Sequence, residues 1–86
     1  MTTLSELRME IDKIDANIIK QLAKRQRIAE KVGRYKRRHG TKIVDAKRET
    51  QMSRARYALS LHYQLNIPYV ERIFKIIITY SRRLQR

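Results

Sequence analysis

The sequence of 86 residues has no cysteine and no tryptophan, and it has only one phenylalanine, one proline and two glycines. Without cysteine, disulfide bonds and thiolate zinc sites are excluded. Scarce proline and glycine, with no strand-like alternation of apolar and polar residues, favour an all-α chain. There is no basic-then-apolar leader and no long apolar run, so the sequence predicts neither a signal peptide nor a membrane span. The expected location is the cytoplasm.

Acidic residues are also few, since 21 lysines and arginines stand against 8 aspartates and glutamates, for a net charge of +13. Such an excess suits a nucleic-acid phosphate backbone or a small anionic substrate, but many charge runs are only solvated surface. A nucleic-acid role lacks its usual support, because there is no glycine-rich loop and no zinc-finger spacing. The densest basic run, residues 34–39, is equally explained as the last turn of a helix.

Local signals predict three helices in a single domain that covers residues 1–86. The first helix begins near Thr3 to Ser5, and either residue can cap it, although Thr3 with Glu6 fits a capping box. It runs to about Arg38 and stops at His39-Gly40. Asp45 is a good N-cap for the second helix. Asn66 or Ile67 caps the third helix, and Pro68 fits its first turn.

The first helix is too long to be buried by its own chain. About 35 residues span roughly 50 Å, whereas a compact domain of this size has a radius of gyration near 12 Å. Apolar residues follow helical spacing along it: Leu4, Leu7, Ile11, Ile14, Ile18, Ile28, Val32 and Tyr35. We therefore predict an obligate, intertwined homodimer in which a second chain covers the protruding part.

Shorter apolar stripes are predicted to face inward on the other two helices. The stripe of the second helix comprises Met52, Ala55, Leu59 and either His62 or Tyr63, and that of the third comprises Val70, Ile73, Phe74, Ile77, Ile78 and Leu84. Gly33, inside the first helix, is expected to mark a close contact between helices, because glycine otherwise weakens a helix by about 1 kcal/mol relative to alanine.

Three polar residues interrupt these stripes, namely Arg25, Arg48 and Ser81. A guanidinium on an apolar seam is costly unless an anion meets it. Two interpretations of Arg25 therefore stay open. It pairs with a carboxylate of the protein, such as Glu30 or Glu49, or it binds an anionic ligand.

Eight polar residues in all lie on or beside the stripes: Arg8, Arg25, Lys36, Asp45, Arg48, Glu49, Ser81 and Gln85. Arg25 and Lys36 are three helical turns apart, so their side chains can converge on one ligand about 10 Å across. Arg8 lies about 25 Å from Arg25 along the helix axis. It can reach the same ligand only from a second chain.

Taken singly, these residues also have simpler explanations. Asp45 can serve only as an N-cap. Glu49 can neutralise Arg48, and the Ser81 hydroxyl can bond to the carbonyl of the preceding turn. Gln85 lies near the C-terminus, where helices fray.

Taken together and in order, the residues resemble the small all-helical chorismate mutases. The resemblance covers nearly the whole chain and is carried by Leu7-Arg8, Ile11-Asp12, Leu22 to Arg25, Val32-Gly33, Lys36, the run Asp45-x-x-Arg48-Glu49, Ser81 and Gln85. It implies an intertwined homodimer with two shared active sites, and chorismate, a dianion, as substrate. The implied reaction is the pericyclic rearrangement of chorismate to prephenate, which requires no metal and no cofactor.

The resemblance also implies roles for the polar residues at the anionic and ether ends of the substrate. Arg8 of the partner chain and Arg25 would clamp carboxylates, with help from Ser81. Lys36 and Gln85 would donate hydrogen bonds to the ether oxygen, where negative charge grows as the C–O bond breaks.

At the hydroxyl end, the resemblance implies that Asp45 and Glu49 hold the ring hydroxyl, with Arg48 supporting them. The implied substrate-binding set is therefore all eight residues. The catalytic subset is Arg25, Lys36, Glu49 and Gln85.

Several alternatives stay open from the sequence. Isochorismate pyruvate-lyases share the fold and the basic positions but generally lack the acidic pair that Asp45 and Glu49 form here. A mutase acting on an amino analogue of chorismate is also compatible. A basic nucleic-acid-binding module would explain the charge but not the inward-facing Arg25 and Ser81. A dimerisation module without catalysis would leave the full polar set unexplained.

Overall fold

The computed structural model describes residues 2–86, so Met1, which the single-domain prediction includes, lies outside the described residues. The chain forms three helices, α1 (Leu4–His39), α2 (Ala46–His62) and α3 (Ile67–Gln85). No strand occurs in the described part of the chain. The all-α fold class and the very long first helix are confirmed.

Each helix begins where local capping chemistry predicts. The Thr3 hydroxyl accepts a hydrogen bond from the backbone N–H of Glu6 at 3.1 Å, and the Glu6 carboxylate accepts one from the backbone N–H of Thr3 at 3.4 Å. Side-chain oxygens of Asp45 and Asn66 accept from the backbone N–H three residues later, at 3.1 Å and 2.9 Å. Gly40 ends α1 in the left-handed conformation, with φ of 64°. Each of these bonds satisfies a backbone group that the helix itself leaves unpaired.

Helix α3 packs against both α1 and α2, and the contacts are made largely by small side chains. The buried residues are Ala29, Gly33, Ser60, Val70 and Ser81. A β-carbon built on Gly33 would lie 2.7 Å from the Cα atom of Gln85. The predicted close helix contact at Gly33 is therefore confirmed.

The stripe predicted for α2 is partly wrong. Met52 and Ala55 are half-buried as expected, but Leu59 is 55% exposed and neither His62 nor Tyr63 is buried.

The inward residue near the end of α2 is Ser60, which is only 3% exposed. Helix α2 turns Ser60 toward the interior because a small side chain allows close packing. The polarity of Ser60 is satisfied locally, since its hydroxyl donates to the carbonyl of Arg56 at 2.7 Å.

The stripe predicted for α3 is largely right. Val70 is buried, whereas Ile73 remains 39% exposed. The other members are half-buried: Phe74, Ile77, Ile78 and Leu84. Two of these residues, Phe74 and Ile78, line the cavity that lies between the three helices.

The N-terminal half of α1 extends beyond the other helices. The chain measures 58 × 24 × 15 Å and has a radius of gyration of 16.4 Å, well above the value of about 12 Å for a compact chain of this length. Leu4, Ile11, Ile14 and Ile18 are each more than half exposed. No large side chain among residues 2–86 is fully buried. No helix within this range is apolar over a long enough stretch to cross a membrane.

Candidate functional site

A cavity of about 420 Å³ opens between the three helices. It is lined by seven of the eight polar residues that the sequence singles out: Arg25, Lys36, Asp45, Arg48, Glu49, Ser81 and Gln85. The eighth, Arg8, lies on the projecting half of α1, outside this cavity. The tertiary fold thus brings together side chains that are up to sixty residues apart in the sequence.

Arg25 and Ser81 form the contact between α1 and α3 at one wall of the cavity. Arg25 Nη1 donates a hydrogen bond to Ser81 Oγ. The Ser81 hydroxyl in turn donates to the carbonyl of Ile77 at 2.9 Å, so its predicted bond to the preceding turn is confirmed. Ser81 therefore holds the Arg25 side chain in place while other guanidinium N–H groups stay available.

No carboxylate pairs with Arg25 within the described residues. The interpretation that Glu30 or Glu49 neutralises it is therefore wrong for this chain. Burial lowers the pKa of Arg25 below its ordinary value, and repulsion from the nearby Arg56 lowers this pKa further. The guanidinium is still charged near neutral pH, so the cavity wall carries a cation without an anionic partner.

Lys36 and Gln85 form a second contact between α1 and α3. Lys36 Nζ donates to the carbonyl of Ile43 at 2.6 Å and to Gln85 Oε1 at 2.9 Å. An ammonium group has three donors, so one remains for a ligand. Because Gln85 Oε1 accepts from Lys36, the amide Nε2 of Gln85 is left to donate as well.

The backbone of Gln85 is fixed rather than frayed. Arg37 Nη1 donates to the Gln85 carbonyl at 2.9 Å, and Gly33 lies directly against the Gln85 backbone. The side chain of Gln85 is half-buried. Fraying at the C-terminus therefore does not explain this residue.

The acidic side of the cavity comes from the first turn of α2. Asp45 caps the helix through the backbone N–H of Arg48. Glu49 pairs with Arg82 across the cavity, with 2.8 Å between Glu49 Oε1 and Arg82 Nη2. The interpretation that Glu49 neutralises Arg48 is therefore wrong, because α3 supplies a closer cation. Arg48 forms no ion pair within residues 2–86.

Two cavity-lining arginines, Arg56 and Arg82, were not singled out from the sequence. Arg56 lies eight residues after Arg48, with Met52 halfway between, so spacing in steps of four could have found it. Arg82 is adjacent to Ser81 and has no comparable signal. The remaining lining is apolar and comprises Ile28, Ala29, Val32, Ile43, Met52, Phe74 and Ile78.

The cavity is chemically suited to a compact anion with an apolar body. Five cationic side chains line it, Arg25, Lys36, Arg48, Arg56 and Arg82, against two carboxylates, Asp45 and Glu49. Within the described residues, no three histidine or acidic side chains lie close enough to share a metal ion. The arrangement can fix anionic groups in space and donate hydrogen bonds to an oxygen that gains charge.

Comparison with known families gives a match over nearly the whole chain. The family model described as chorismate mutase type II matches residues 7–86. The matched range includes Arg8 and every polar residue of the cavity.

Individual relatives agree with this match. The chain is 31% identical over 83 residues to a protein named "Chorismate mutase" from Methanocaldococcus jannaschii. The aligned residues make up 96% of this chain and 84% of that protein. It is 41% identical over 56 residues to the "T-protein" of Haemophilus influenzae, covering 65% of this chain and 15% of the relative. It is 33% identical over 79 residues to a "Bifunctional chorismate mutase/prephenate dehydratase" of Buchnera aphidicola, covering 92% of this chain and 20% of the relative. The chain thus spans only a small part of the last two proteins.

Proposed function

We propose that this chain, which belongs to the chorismate mutase type II family, rearranges chorismate to prephenate. The observation that carries the proposal is the single cavity in which Arg25, Lys36, Glu49 and Gln85 meet. Its excess of cations matches a dianion, and its apolar walls match a carbon ring. The reaction breaks the ether C–O bond and forms a C–C bond within one molecule, so the protein need only bind, orient and stabilise charge.

The first task is to hold a flexible substrate in the compact conformer that reacts. Arg25, oriented by Ser81, would bind one carboxylate, because a guanidinium offers paired N–H groups that match carboxylate geometry. Because the substrate loses its conformational freedom when it binds, this entropy loss no longer contributes to the activation free energy of the bond-changing step.

The second task is to stabilise the ether oxygen. The free N–H of Lys36 and the amide Nε2 of Gln85 would donate to this oxygen as negative charge develops on it. Their mutual hydrogen bond of 2.9 Å holds both donors ready before the substrate arrives. Such preorganised donors act mainly on the transition state, so they raise kcat rather than affinity.

The acidic side of the cavity would hold the ring hydroxyl. Glu49 is oriented by Arg82 and Asp45 by its capping bond, and either carboxylate can accept a hydrogen bond from a hydroxyl. Arg48, which is not paired within residues 2–86, would support this end and offset its negative charge.

The proposal includes an obligate homodimer in which Arg8 of the partner chain completes the site. Support comes from the projecting half of α1, where Leu7 is 46% exposed, Ile11 56% and Ile14 59%. A second copy laid along this half would bury the apolar row and bring its own Arg8 toward the cavity. The dimer would therefore couple stability to protein concentration.

The experiment is to follow loss of chorismate absorbance with the purified protein and to identify the product by chromatography. Formation of prephenate supports the proposal. Pyruvate released from isochorismate, without prephenate from chorismate, would move the chain to the lyase reaction of the same fold. A cytoplasmic location is part of the proposal, and cell fractionation tests it.

A further inference from the structure

Arg56 lines the cavity although the resemblance assigns it no role. It projects from α2, the helix that also supplies Arg48 and Glu49. Its side chain is only 15% exposed. A long cationic side chain that is this well covered normally has a partner or a ligand, because desolvating a charge is costly.

One edge of the Arg56 guanidinium is fixed by α3. Arg56 Nε donates to Glu71 Oε1 at 3.2 Å, and the guanidinium carbon lies 5.4 Å from the centre of the Phe74 ring. These two contacts orient a planar group at the cavity wall. No other hydrogen bond of this guanidinium is formed within residues 2–86, so its terminal N–H groups remain available.

The guanidinium of Arg25 lies close enough to Arg56 for mutual repulsion, and this repulsion helps to lower the pKa of Arg25. Glu71 is the only carboxylate in an ion pair with either group in the described chain. Both guanidinium groups line the same cavity, and only Arg56 has a carboxylate partner within residues 2–86. An anion bound between them would therefore be attracted by both charges.

We propose that Arg56 is a further substrate-binding residue, which together with Arg25 holds one carboxylate of the bound anion. The inference rests on the proposed function and names a residue that the eight-residue site does not include. Because a carboxylate is charged both before and during the rearrangement, its contact with Arg56 stabilises ground state and transition state alike. Losing such a contact raises KM and leaves kcat nearly unchanged.

The test compares Arg56→Met with two controls on chorismate turnover. Arg54→Met removes an exposed arginine from the same helix, outside the cavity. Glu71→Gln removes the charge of the ion pair but keeps an acceptor for Arg56 Nε. Circular dichroism and sedimentation are measured for each variant to establish that it is folded and assembled like the wild type.

The expected result is a KM for Arg56→Met raised about 10- to 100-fold, the range for a lost charge-assisted hydrogen bond. Arg54→Met and Glu71→Gln should change KM less than about threefold. If Arg56 serves only its ion pair with Glu71, Arg56→Met and Glu71→Gln will give equal KM values, and the proposal is overturned. It is also overturned if Arg56→Met behaves like Arg54→Met.

A second readout separates this inference from the proposed function. If the wild type does not turn over chorismate, the rearrangement is not its reaction, and thermal unfolding is measured with and without isophthalate, a rigid dicarboxylate. A ligand that binds the folded state raises Tm. The anion site is supported if isophthalate raises the Tm of the wild type and of Arg54→Met but not that of Arg56→Met. An equal rise in all three proteins, or none in any, overturns it.

Discussion

The two halves of α1 follow the same apolar periodicity but have different surroundings. In the C-terminal half, Ala29 is 6% exposed and Gly33 is buried against α3. In the N-terminal half, Leu4 is 62% exposed and Ile14 is 59% exposed. The amphipathic pattern alone therefore does not determine burial, since α3, the helix that packs on α1, covers only the C-terminal half.

The polar residues that α1 contributes to the proposed site are divided between its two halves. The covered half carries Arg25 and Lys36, which line the cavity. The uncovered half carries Arg8 and the exposed apolar row. If a second copy covers that row, the same contact that stabilises the protein also completes the site, and neither half is sufficient without the other.

The largest effect is expected from a charge placed in the exposed row. Ile14→Asp should dissociate the proposed dimer and abolish turnover. Each lost isoleucine contact is worth about 1.5–3 kcal/mol. Because a symmetric interface contains two copies of the residue, the dissociation constant of the dimer should rise roughly 10²- to 10⁴-fold. The cost of burying two carboxylates adds to this effect. Sedimentation equilibrium over a range of protein concentrations measures this dissociation constant.

Met9→Asp is the matched control for that prediction. Met9 is 57% exposed and lies on the opposite face of α1 from the row, because five residues turn a helix by about 140°. It should leave the dimer intact. If Ile14→Asp and Met9→Asp sediment alike, the apolar row is not the interface.

Within the covered half, Lys36→Met should reduce kcat about 100- to 1000-fold, the usual cost of removing one preorganised donor to a developing charge. The variant removes one donor and also frees Gln85 Oε1 from its hydrogen bond. KM should change much less than kcat. The control is Lys31→Met, which replaces an exposed lysine on the same helix. Steady-state kinetics of both variants gives the comparison. A variant that alters only KM would show that Lys36 does not act on the transition state.

The sequence predicts the helix ends well because capping chemistry is local. Thr3, Gly40 and Asp45 act with neighbours three or four residues away, and each lies where the pattern indicates. Helical counting also predicts three of the cavity residues, Arg25, Arg48 and Ser81, because a polar group on an apolar stripe is visible within one helix. The other four lie beside the stripes. What unites them, the packing of α3 on both other helices, is not local.

The residues that sequence patterns miss or misassign depend on that tertiary packing. The carboxylate of Glu49 is nearer in sequence to Arg48, yet it pairs with Arg82 from another helix. Leu59 was predicted inward because it is apolar, but α2 turns Ser60 inward instead. No spacing rule within one helix predicts that Glu49 pairs with Arg82 rather than with Arg48. The choice depends on how two helices are rotated about their axes.

A mixing experiment links the two halves of α1. Arg8→Ala and Lys36→Ala should each be nearly inactive alone. If Arg8 acts across the dimer, a mixed dimer contains one site with both residues intact and one site with neither. An equal mixture of the chains forms mixed dimers in about half of its molecules, so about a quarter of wild-type activity should return. Activity that stays at the level of the separate variants would mean that Arg8 and Lys36 serve the same chain or that Arg8 has no role.

The smallest effect is expected from the close contact that holds the covered half to α3. Gly33→Ala improves helix propensity by about 1 kcal/mol, but its β-carbon would lie 2.7 Å from Gln85 Cα and 3.2 Å from the Gln85 carbonyl oxygen. Because the clash is with backbone, α3 must shift, at a cost of about 1–3 kcal/mol. Urea unfolding at fixed protein concentration should therefore show a net loss of up to about 2 kcal/mol.

Gly40→Ala is the matched control, because its strain is conformational and remote from α3. Gly40 has φ of 64°, and no other group of residues 2–86 lies within 4 Å of the added β-carbon. Alanine there should cost about 1 kcal/mol in stability and leave kcat unchanged. Gly33→Ala, in contrast, should lower kcat as well, because the shift of α3 moves Gln85 away from Lys36. Equal kcat values for the two variants would show that the site tolerates a displaced α3, and that the packing of the covered half serves stability alone.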